Sequence, residues 1–381
     1  MAEIVHVPLD GGRAYDIHIG AGLLTNVGEV VNGVARSNRA VIVSQPPIAK
    51  HYAKTVADSL VAAGFDAPDV VLFPAGERYK THRTLEKLYG ALYELRPAID
   101  RKTLLVALGG GVVGDVVGFL AATYLRGLDY VQVPTTLLAM VDSSVGGKTG
   151  IDYRAGKNLI GAFHQPRAVF ADTATLRTLP VRELQAGSAE VIKYGVIRLP
   201  RLIDDVIASS EFGTICGPRY PHAVLSGAIR RSCEIKAEVV TRDEYETTGL
   251  RAILNFGHTI GHAVEAATNY RRYKHGEAVA IGMIAAACIG EVAGVTPPQV
   301  RDDVRRAVFN AKLPSALPDD VSDDALIALL GRDKKSENGA PKFVLARALG
   351  DVVSGVAVEE SAIREGLAMQ RAKYTAEGVP S

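Results

Sequence analysis

The sequence predicts a two-domain protein: an α/β N-terminal nucleotide-binding domain built on a parallel sheet, and an all-α C-terminal domain. In the first half of the chain, short β-rich runs alternate with helical patterns, as in βαβ units. After about residue 180 the strand signals almost vanish, and Ala- and Leu-rich helical patterns dominate. The chain of 381 residues is long enough for two domains. We expect them over residues 1–178 and 179–381, with the boundary between residues 176 and 182.

The expected elements follow in chain order. Asp10-Gly11-Gly12, between two alternating runs, predicts an opening hairpin of Ile4–Pro8 and Ala14–Ile19. Further strands are expected at Arg39–Val43, Asp69–Phe73, Thr103–Leu108 and Asp129–Val133. Helical patterns separate them at Ile48–Ala63, Thr81–Leu95 and Val112–Tyr124. The later helices are expected at Tyr220–Arg242, His258–Ala267, Gly276–Ala293 and Pro298–Ala311.

Composition and charge indicate a soluble cytoplasmic protein. Lys and Arg number 43 against 42 Asp and Glu, a net charge of +1, which argues against a general nucleic-acid or membrane-surface binder. The three cysteines, Cys216, Cys233 and Cys288, form no CxxC pair, which predicts reduced thiols. No signal peptide is readable at the N-terminus, and the longest apolar run, Ala278–Ala287, predicts a buried helix.

The segment Asp142–Pro166 has little helix or strand periodicity, yet it carries five glycines together with Lys148 and Lys157. Long structureless stretches inside compact domains are either functional or disordered. Its apolar residues, such as Ile151 and Phe163, favour order. We therefore predict an ordered ligand-binding loop.

Two segments are candidates for nucleotide binding. Gly109–Gly114 satisfies GxGxxG between a strand and a helix, where backbone N–H groups can receive a diphosphate. Asp129 has the spacing of the usual ribose-binding acid but precedes a strand, so a tight packing turn stays open as an alternative. Pro74–Lys80 also follows a strand, and is either a second binding loop or a solvated loop.

Histidines and lysines suggest a metal and an anionic substrate. His258 and His262, at i and i+4, face the same way on a helix, and His275 lies 13 residues further on. This pattern favours a divalent metal over a structural histidine pair. Basic residues lie beside the Gly-rich and His-bearing segments, which predicts a small, multiply anionic substrate such as a phosphorylated acid. These residues are Lys148, Lys157, Lys193, Lys236 and Arg251.

Together these segments resemble the 3-dehydroquinate synthase family of sugar phosphate cyclases, over almost the whole chain. The likeness is densest over residues 74–80, 103–195 and 233–282. It rests on the runs GGGVVGDVVGFLAATYLRG, VPTTLLAMVDSSVGGKTGID, GKNLIGAFHQP, AEVIKYG, NFGHTIGHAVE and HGEAVAIGM. The resemblance implies an N-terminal α/β nucleotide-binding domain and a C-terminal helical domain, with the site between them.

The resemblance also implies the metal site. The family's zinc ligands match Glu190, His258 and His275, with zinc or cobalt as the metal. This replaces the interpretation of His262 as a ligand, since His262 resembles the family's acid–base histidine. Three protein ligands leave open positions for substrate hydroxyls.

The implied NAD and substrate contacts are more widely distributed. NAD is expected at Ala75, Gly76, Glu77, Arg78, Tyr79, Lys80, Gly111, Val112, Val113, Gly114, Asp115, Thr135, Thr136, Lys148, Lys157, Thr175, Leu176, Arg177 and Thr178. Substrate is expected at Asp142, Lys148, Asn158, Lys193, Lys236, Arg251, Asn255 and His262, and at either Lys335 or Lys342. Arg126 resembles an arginine that reaches the substrate phosphate of the neighbouring subunit, which implies a homodimer.

The family's activity belongs to the shikimate pathway. The resemblance implies an NAD- and metal-dependent carbon–oxygen lyase that acts on 3-deoxy-D-arabino-heptulosonate 7-phosphate. Transient oxidation at C5, phosphate elimination, re-reduction and an aldol closure then give 3-dehydroquinate. Alternatives are another cyclase, such as 2-deoxy-scyllo-inosose synthase, a metal-dependent polyol dehydrogenase, or a binding protein without turnover.

Two departures from the family pattern bear on these expectations. Family members often carry Asp or Asn where this chain has Ser44-Gln45, so weaker hydrogen bonding to the cofactor's adenosine end is expected. The acidic loop DEYETTGLR is one residue longer than usual, which leaves the role of Glu246 open.

Overall fold

The computed structural model describes residues 2–154, 156–203, 222–330 and 341–376. It divides the chain into two compact units, of which the first contains Met1–Leu179 and Pro221–Thr241. The second contains Pro180–Tyr220 and Arg242–Ser381. Residues 221–241 therefore group with the first unit, although they follow the start of the second in sequence.

The described strands are β1 (Glu3–Val7), β2 (Tyr15–Gly20), β3 (Ala40–Ser44), β4 (Asp69–Leu72), β5 (Leu104–Gly109), β6 (Tyr130–Pro134), β7 (Lys148–Tyr153), β8 (Gly156–Phe163), β9 (Ala168–Asp172), β10 (Lys342–Ala348) and β11 (Asp351–Ala357). The described α-helices are α1 (Val27–Asn32), α2 (Pro46–Ala62), α3 (His82–Glu94), α4 (Gly111–Thr123), α5 (Val181–Ile197), α6 (His222–Arg242), α7 (His258–Ala267), α8 (His275–Val292), α9 (Pro298–Asn310), α10 (Asp323–Leu330) and α11 (Glu360–Ala376).

A seven-stranded sheet forms the centre of the first unit, in the order β1-β2-β9-β6-β5-β3-β4. Only the hairpin β1–β2 is antiparallel within this sheet, and the other neighbours are parallel. Successive side chains of a strand face opposite sides. Val41 and Val43 of β3 accordingly pack with α3 and α4, whereas Ile42 packs with α1 and α2. Burial on both faces explains the continuous apolar runs that predicted these strands.

Helices dominate the second unit, where α8 is buried along most of its length. Its residues share a core with α7, α10, α11 and the strand β10. By length and composition α8 could cross a membrane, but 83% of its apolar window is buried, as in the core helix of a globular protein.

The predicted fold class is confirmed, with two local corrections. The described residues of Asp142–Pro166 are not one loop but include two strands: β7 and β8 form an antiparallel hairpin in which Lys148 is opposite Phe163. A Cβ on Gly161 would lie 2.0 Å from the Thr149 carbonyl oxygen, so glycine allows the two backbones to approach closely. Glycines such as Gly150 and Gly161 interrupt the alternation of apolar and polar side chains that would have indicated strands.

The second correction concerns the strands missed after residue 180. The antiparallel hairpin β10–β11 turns at Gly350, which has a φ of 85°. Its first strand, KFVLARA, contains Ala, Leu and Arg, which favour helices in isolation, and is buried over four successive residues. Packing against the helical core therefore outweighs local propensity here.

Candidate active site

Three helices of the second unit bring a carboxylate and two imidazoles together. Glu190 lies within α5, while His258 and His275 are the first residues of α7 and α8. The Nε2 atoms of His258 and His275 lie 3.6 and 3.7 Å from Glu190 Oε1. One donor atom from each residue falls within a group no wider than 4.8 Å, a spacing that suits a single metal ion.

Glycines at the helix starts allow this convergence. A Cβ on Gly276, at the start of α8, would lie 1.8 Å from the Ala186 carbonyl oxygen of α5. A Cβ on Gly257, just before α7, would lie 2.5 Å from Met283 Cγ of α8. Gly257 also has a φ of 78°, which favours glycine. Larger residues at either position would push the ligand-bearing helices apart.

The electrostatics of this group fit a cation. Glu190 is 0% exposed, and among the described residues neither carboxylate oxygen accepts a well-aligned hydrogen bond. Lys193, one turn later on α5, forms an ion pair with it. A buried carboxylate with so few hydrogen bonds is costly unless a positive charge compensates it. The donor set therefore fits Zn²⁺ or Co²⁺.

The imidazole of His258 is suited to metal binding. Burial lowers its pKa well below the ordinary value, and electrostatic interactions with Lys193, His275 and His262 lower it further. His258 is thus neutral near pH 7, as a metal ligand must be. Its Nδ1 lies 3.2 Å from the Phe256 carbonyl oxygen, which leaves Nε2 directed towards Glu190.

His262 lies beside this group rather than within it. It is exposed, one turn after His258, and its ring centroid lies 5.4 Å from that of His258 and 5.8 Å from that of His275. A second possible ligand group combines His262, Glu265 and His275, again within 4.8 Å. The two groups share His275.

The loop between α6 and α7 holds Arg251 in a buried position. The Arg251 guanidinium donates to the Glu244 carbonyl oxygen over 2.7 Å, and its Nε lies 3.8 Å from Glu246 Oε1. Glu246 therefore faces the arginine. Asn255 is the last residue of the short helix Leu250–Asn255 that follows.

Asp243 shapes this loop and was missed by the sequence analysis. Its carboxylate accepts hydrogen bonds from the backbone N–H groups of Thr247, Thr248 and Arg251 at 2.8–3.0 Å. Burial alone would raise the pKa of Asp243, but these hydrogen bonds hold it below its ordinary value. The Thr248 side chain also hydrogen-bonds to it, and no pattern in the sequence indicates a carboxylate whose partners are mainly backbone N–H groups of its own loop.

In the first unit, the glycine turn lies where β5 meets α4. A Cβ on Gly109 would lie 2.4 Å from Val113 Cγ2, and one on Gly110 would lie 2.9 Å from Thr136 Cγ2. The turn therefore packs tightly against the start of α4. The first N–H groups of α4, including those of Gly111 and Val112, lack intrahelical acceptors and suit an anion.

Lys80 links three of the segments expected to bind cofactor or substrate. It is 3% exposed, and its Nζ donates to Asp115 Oδ2 of α4 over 2.5 Å and to Asn158 Oδ1 of β8. The Asn158 backbone N–H donates to Asp152 Oδ1 over 2.9 Å. Nearby, Lys157 Nζ lies 3.8 Å from Glu77 Oε1.

The pKa shifts of Lys80 and Asp115 have different causes. Burial by itself would lower the pKa of Lys80, but the carboxylates of Asp115 and Glu77 raise it above its ordinary value. Burial raises the pKa of Asp115, and the ion pair with Lys80 offsets only part of that rise. The charges are thus mutually compensated.

Other expected residues of the first unit lie at the ends of its strands. Thr135 and Thr136 follow β6, and the short helix Thr173–Thr178 follows β9. The Tyr52 hydroxyl donates to the Thr175 carbonyl oxygen over 3.0 Å and lies 2.5 Å from Thr178 Oγ1. Ligands of parallel sheets commonly bind beyond these strand ends.

Lys236 of α6 pairs with Asp142 within the first unit. Its Nζ donates to the carbonyl oxygen and to Oδ1 of Asp142, both over 2.8 Å.

At the end of β3, the buried Ser44 hydroxyl donates to the Leu108 carbonyl oxygen over 2.7 Å. The Ser44 hydroxyl therefore donates its proton to a backbone oxygen of the neighbouring strand β5.

The remaining expected residues are more dispersed. Lys148 is exposed at the start of β7, and Lys342 begins β10. Arg126 is exposed at the end of the short helix Tyr124–Arg126, with a φ of 65°. Lys335 and Cys216 lie outside the described residues.

Comparison with known proteins gives a consistent assignment. Family models described as 3-dehydroquinate synthase N-terminal and C-terminal match residues 70–186 and 187–336. The 3-dehydroquinate synthase of Nostoc sp. strain PCC 7120 is 47% identical over 368 residues, covering 96% of this chain and 99% of the relative.

Solved structures of other cyclases have the same fold. The 2-epi-5-epi-valiolone synthase ValA from Streptomyces hygroscopicus, with NAD⁺ and Zn²⁺ bound, has a TM-score of 0.84 and 26% identity, covering 94% of this chain and 97% of that one. A 2-deoxy-scyllo-inosose synthase complexed with carbaglucose-6-phosphate, NAD⁺ and Co²⁺ has a TM-score of 0.81 and 27% identity, covering 97% and 99%.

Proposed function

The chain belongs to the 3-dehydroquinate synthase family, and we propose that it converts 3-deoxy-D-arabino-heptulosonate 7-phosphate to 3-dehydroquinate and phosphate. The observation that carries this proposal is the convergence of buried Glu190 with His258 and His275 in a chain similar to these synthases over nearly its whole length. The reaction combines oxidation, phosphate elimination, re-reduction and aldol closure.

The proposal includes NAD and a divalent metal, Zn²⁺ or Co²⁺, as cofactors. Glu190, His258 and His275 would hold the metal, and the glycine turn with Lys80 and Asp115 would hold NAD. When bound, NAD accepts and returns a hydride, and the metal polarises substrate oxygens. Support comes from the convergence of the three donor atoms around the buried Glu190 and from the NAD⁺ and metal ions in the solved cyclases.

The chain's own residues would orient the substrate and move protons. His262 lies beside the two proposed ligand histidines and is exposed, so it can exchange a proton with a substrate hydroxyl. Buried Lys193 and Arg251 can neutralise the substrate's anionic groups. Neutralising and orienting an anion away from bulk water contributes much of such catalysis.

In the first unit, Lys236 and Asn158 would contact substrate. Asp142 holds the ammonium group of Lys236, and Lys80 holds the amide of Asn158. Lys148 would add a further positive charge. These pairings position polar groups before substrate arrives, which reduces the entropy lost on binding.

The proposed assembly is a homodimer, located in the cytoplasm, in which Arg126 reaches the substrate phosphate of the neighbouring subunit. Support comes from the place of Arg126 in the family-like run that ends α4, and from its exposure. Its backbone lies in the left-handed region, which is uncommon for a residue with a side chain.

One assay tests the function and its rivals. The purified protein is mixed with NAD, Zn²⁺ and the heptulosonate phosphate, and phosphate and NADH are followed together. Phosphate release without NADH accumulation is expected. Net NADH would instead identify a polyol dehydrogenase, and neither product would identify a binding protein. Faster turnover of a sugar phosphate that lacks a carboxylate would identify a different cyclase.

A further inference from the structure

The two proposed ligand histidines are oriented in the same way. Each directs Nε2 towards Glu190 Oε1, at 3.6 Å for His258 and 3.7 Å for His275. Each has an oxygen near Nδ1. For His258 it is the Phe256 carbonyl oxygen at 3.2 Å, and for His275 it is the Glu265 carboxylate, with oxygens at 3.4 and 3.5 Å.

The position of Glu265 follows from the helix that carries His258. Residues at i, i+4 and i+7 share one face of a helix, and in α7 these are His258, His262 and Glu265. Glu265 is 2% exposed, between core residues such as Val264 and the start of α8. A carboxylate at such depth is costly unless it is hydrogen-bonded or paired with a charge, so a specific role is expected.

We propose that Glu265 is a positioning residue for the metal centre: it accepts the Nδ1–H of His275 and thereby fixes the tautomer and ring orientation that present Nε2 towards Glu190. The inference rests on the proposed metal centre. A carboxylate hydrogen-bonded to the far nitrogen of a ligand histidine also increases the basicity of that ligand.

The proposal also distinguishes the two ligand groups that share His275. A ring nitrogen that carries a proton cannot bind a metal, and a neutral imidazole has one such nitrogen. When Nδ1 donates to Glu265, only Nε2 remains for the metal. Glu265 is then excluded as a ligand, and the group of Glu190, His258 and His275 is selected.

The test compares Glu265→Gln with Glu277→Gln. Glu277 is the matched control because it is another buried carboxylate beside the start of α8, but it pairs with Arg182 instead of His275. Zn²⁺ affinity is measured by chelator competition, together with the visible spectrum of the Co²⁺ protein and the thermal midpoint of the metal-free protein. Loss of a carboxylate that hydrogen-bonds to a ligand histidine typically weakens metal affinity by about 10- to 100-fold.

We expect Glu265→Gln to bind Zn²⁺ about 10- to 100-fold more weakly while the Co²⁺ spectrum keeps the wild-type band pattern. Glu277→Gln should bind Zn²⁺ like the wild type. If Glu265→Gln does not fold, Glu265→Asp, which keeps the charge but draws it back from the ring, should show the same kind of weakening.

Three results would overturn the proposal. Unchanged Zn²⁺ affinity would show that Glu265 does not support His275, and a lower thermal midpoint with unchanged affinity would show a purely structural role. A changed Co²⁺ spectrum, as expected for Glu190→Gln, would make Glu265 a ligand. A wild-type protein that binds no metal would refute the proposed metal centre itself, which separates that failure from the failure of this inference.

Discussion

The two units present their candidate site residues in opposite ways. In the second unit, the donor atoms of Glu190, His258 and His275 converge, and the buried carboxylate has few hydrogen bonds of its own. Both units contain a buried ion pair, Glu190 with Lys193 in the second and Lys80 with Asp115 in the first, but in the first unit the charged groups are spread over several segments. The proposed metal centre is thus concentrated in three side chains, whereas the proposed cofactor contacts are distributed over many residues.

This difference has a consequence for substitutions. Metal binding by three ligands should fail when one ligand is removed, because the remaining donors no longer complete the site. Cofactor binding through backbone N–H groups and several side chains should instead weaken by degrees.

The largest effect is expected for the two proposed ligand histidines. His258→Ala or His275→Ala should abolish metal retention, since each removes a donor atom. His262→Ala should keep the metal and lower kcat by about 10²- to 10⁴-fold, the usual contribution of an acid–base group. Elemental analysis with steady-state kinetics checks this. Equal metal loss in His262→Ala would contradict the separation of roles.

The packing of the ligand-bearing helices should be nearly as sensitive. In Gly276→Ala the new Cβ would overlap the Ala186 carbonyl oxygen, which lies 1.8 Å away. We expect the free energy of unfolding to fall by about 2–3 kcal/mol and metal affinity to fall with it. Urea unfolding of the metal-free protein and chelator competition provide the measurements.

The matched control for this variant is Gly227→Ala on α6, where among the described residues no atom beyond the helix's own adjacent backbone lies within 4 Å of the new Cβ. Alanine there should leave metal affinity unchanged and stabilise the helix by at most about 1 kcal/mol. If both glycine variants behaved alike, close approach of α5 and α8 would not be what holds Glu190 and His275 together.

A graded effect is expected on the cofactor side. Lys80→Met leaves the Asp115 carboxylate buried without its ammonium partner, so NAD affinity should fall about 10-fold while metal content stays constant. Isothermal titration calorimetry with NAD measures this. Lys54→Met removes an exposed ion pair with Asp58 and should change nothing.

The same variant has a predicted pH dependence. Burial raises the pKa of Asp115, and loss of Lys80 raises it further. A carboxyl whose pKa is higher in the folded than in the unfolded state destabilises the folded protein as pH rises towards the folded-state pKa. The unfolding free energy of Lys80→Met should therefore fall further below that of the wild type as pH rises through this range. Urea unfolding at acidic and neutral pH checks the sign. A deficit that shrank with rising pH would contradict it.

The smallest effect is expected for Arg126→Ala. The 13 residues of α4 span about 20 Å, too far for Arg126 to return to the glycine turn of its own chain. KM for the heptulosonate phosphate should rise about tenfold, as for one lost charge-assisted hydrogen bond, and NAD affinity should not change.

Mixed dimers test whether Arg126 acts across the subunit interface. Arg126→Ala and Lys236→Ala proteins, combined under conditions of subunit exchange, should form hybrids with one intact site and recover partial activity. Native mass spectrometry verifies the hybrids. Their formation without recovered activity would show that Arg126 acts within its own subunit or not at all.

The parts predictable from sequence are those that depend on local pattern. Apolar runs predicted β3 and β5, since strands buried on both faces carry apolar side chains along most of their length. The β7–β8 hairpin was missed because glycines, where its paired strands approach closely, conceal the alternation of apolar and polar side chains that indicates a strand. The spacing of His258 and His262 indicated a metal, but spacing could not show that His262 lies outside the ligand group.

Long-range contacts could not be predicted from pattern. Glu190 lies on a different helix from either ligand histidine, and only the family resemblance pointed to it. No sequence pattern indicated Asp243 or Glu265. The partners of Asp243 are mainly backbone N–H groups, and Glu265 meets the Nδ1 atom of His275 only after two helices pack. Their roles depend on the fold being formed.

The central claim is that one site oxidises the substrate transiently and restores it, and isotope tracing tests this most directly. Substrate deuterated at C5 is turned over in unlabelled water with one equivalent of NAD per site. The proposed function predicts many turnovers, with the deuterium retained at that same carbon in 3-dehydroquinate. Deuterium that accumulated in NADH, or was lost to water, would contradict it.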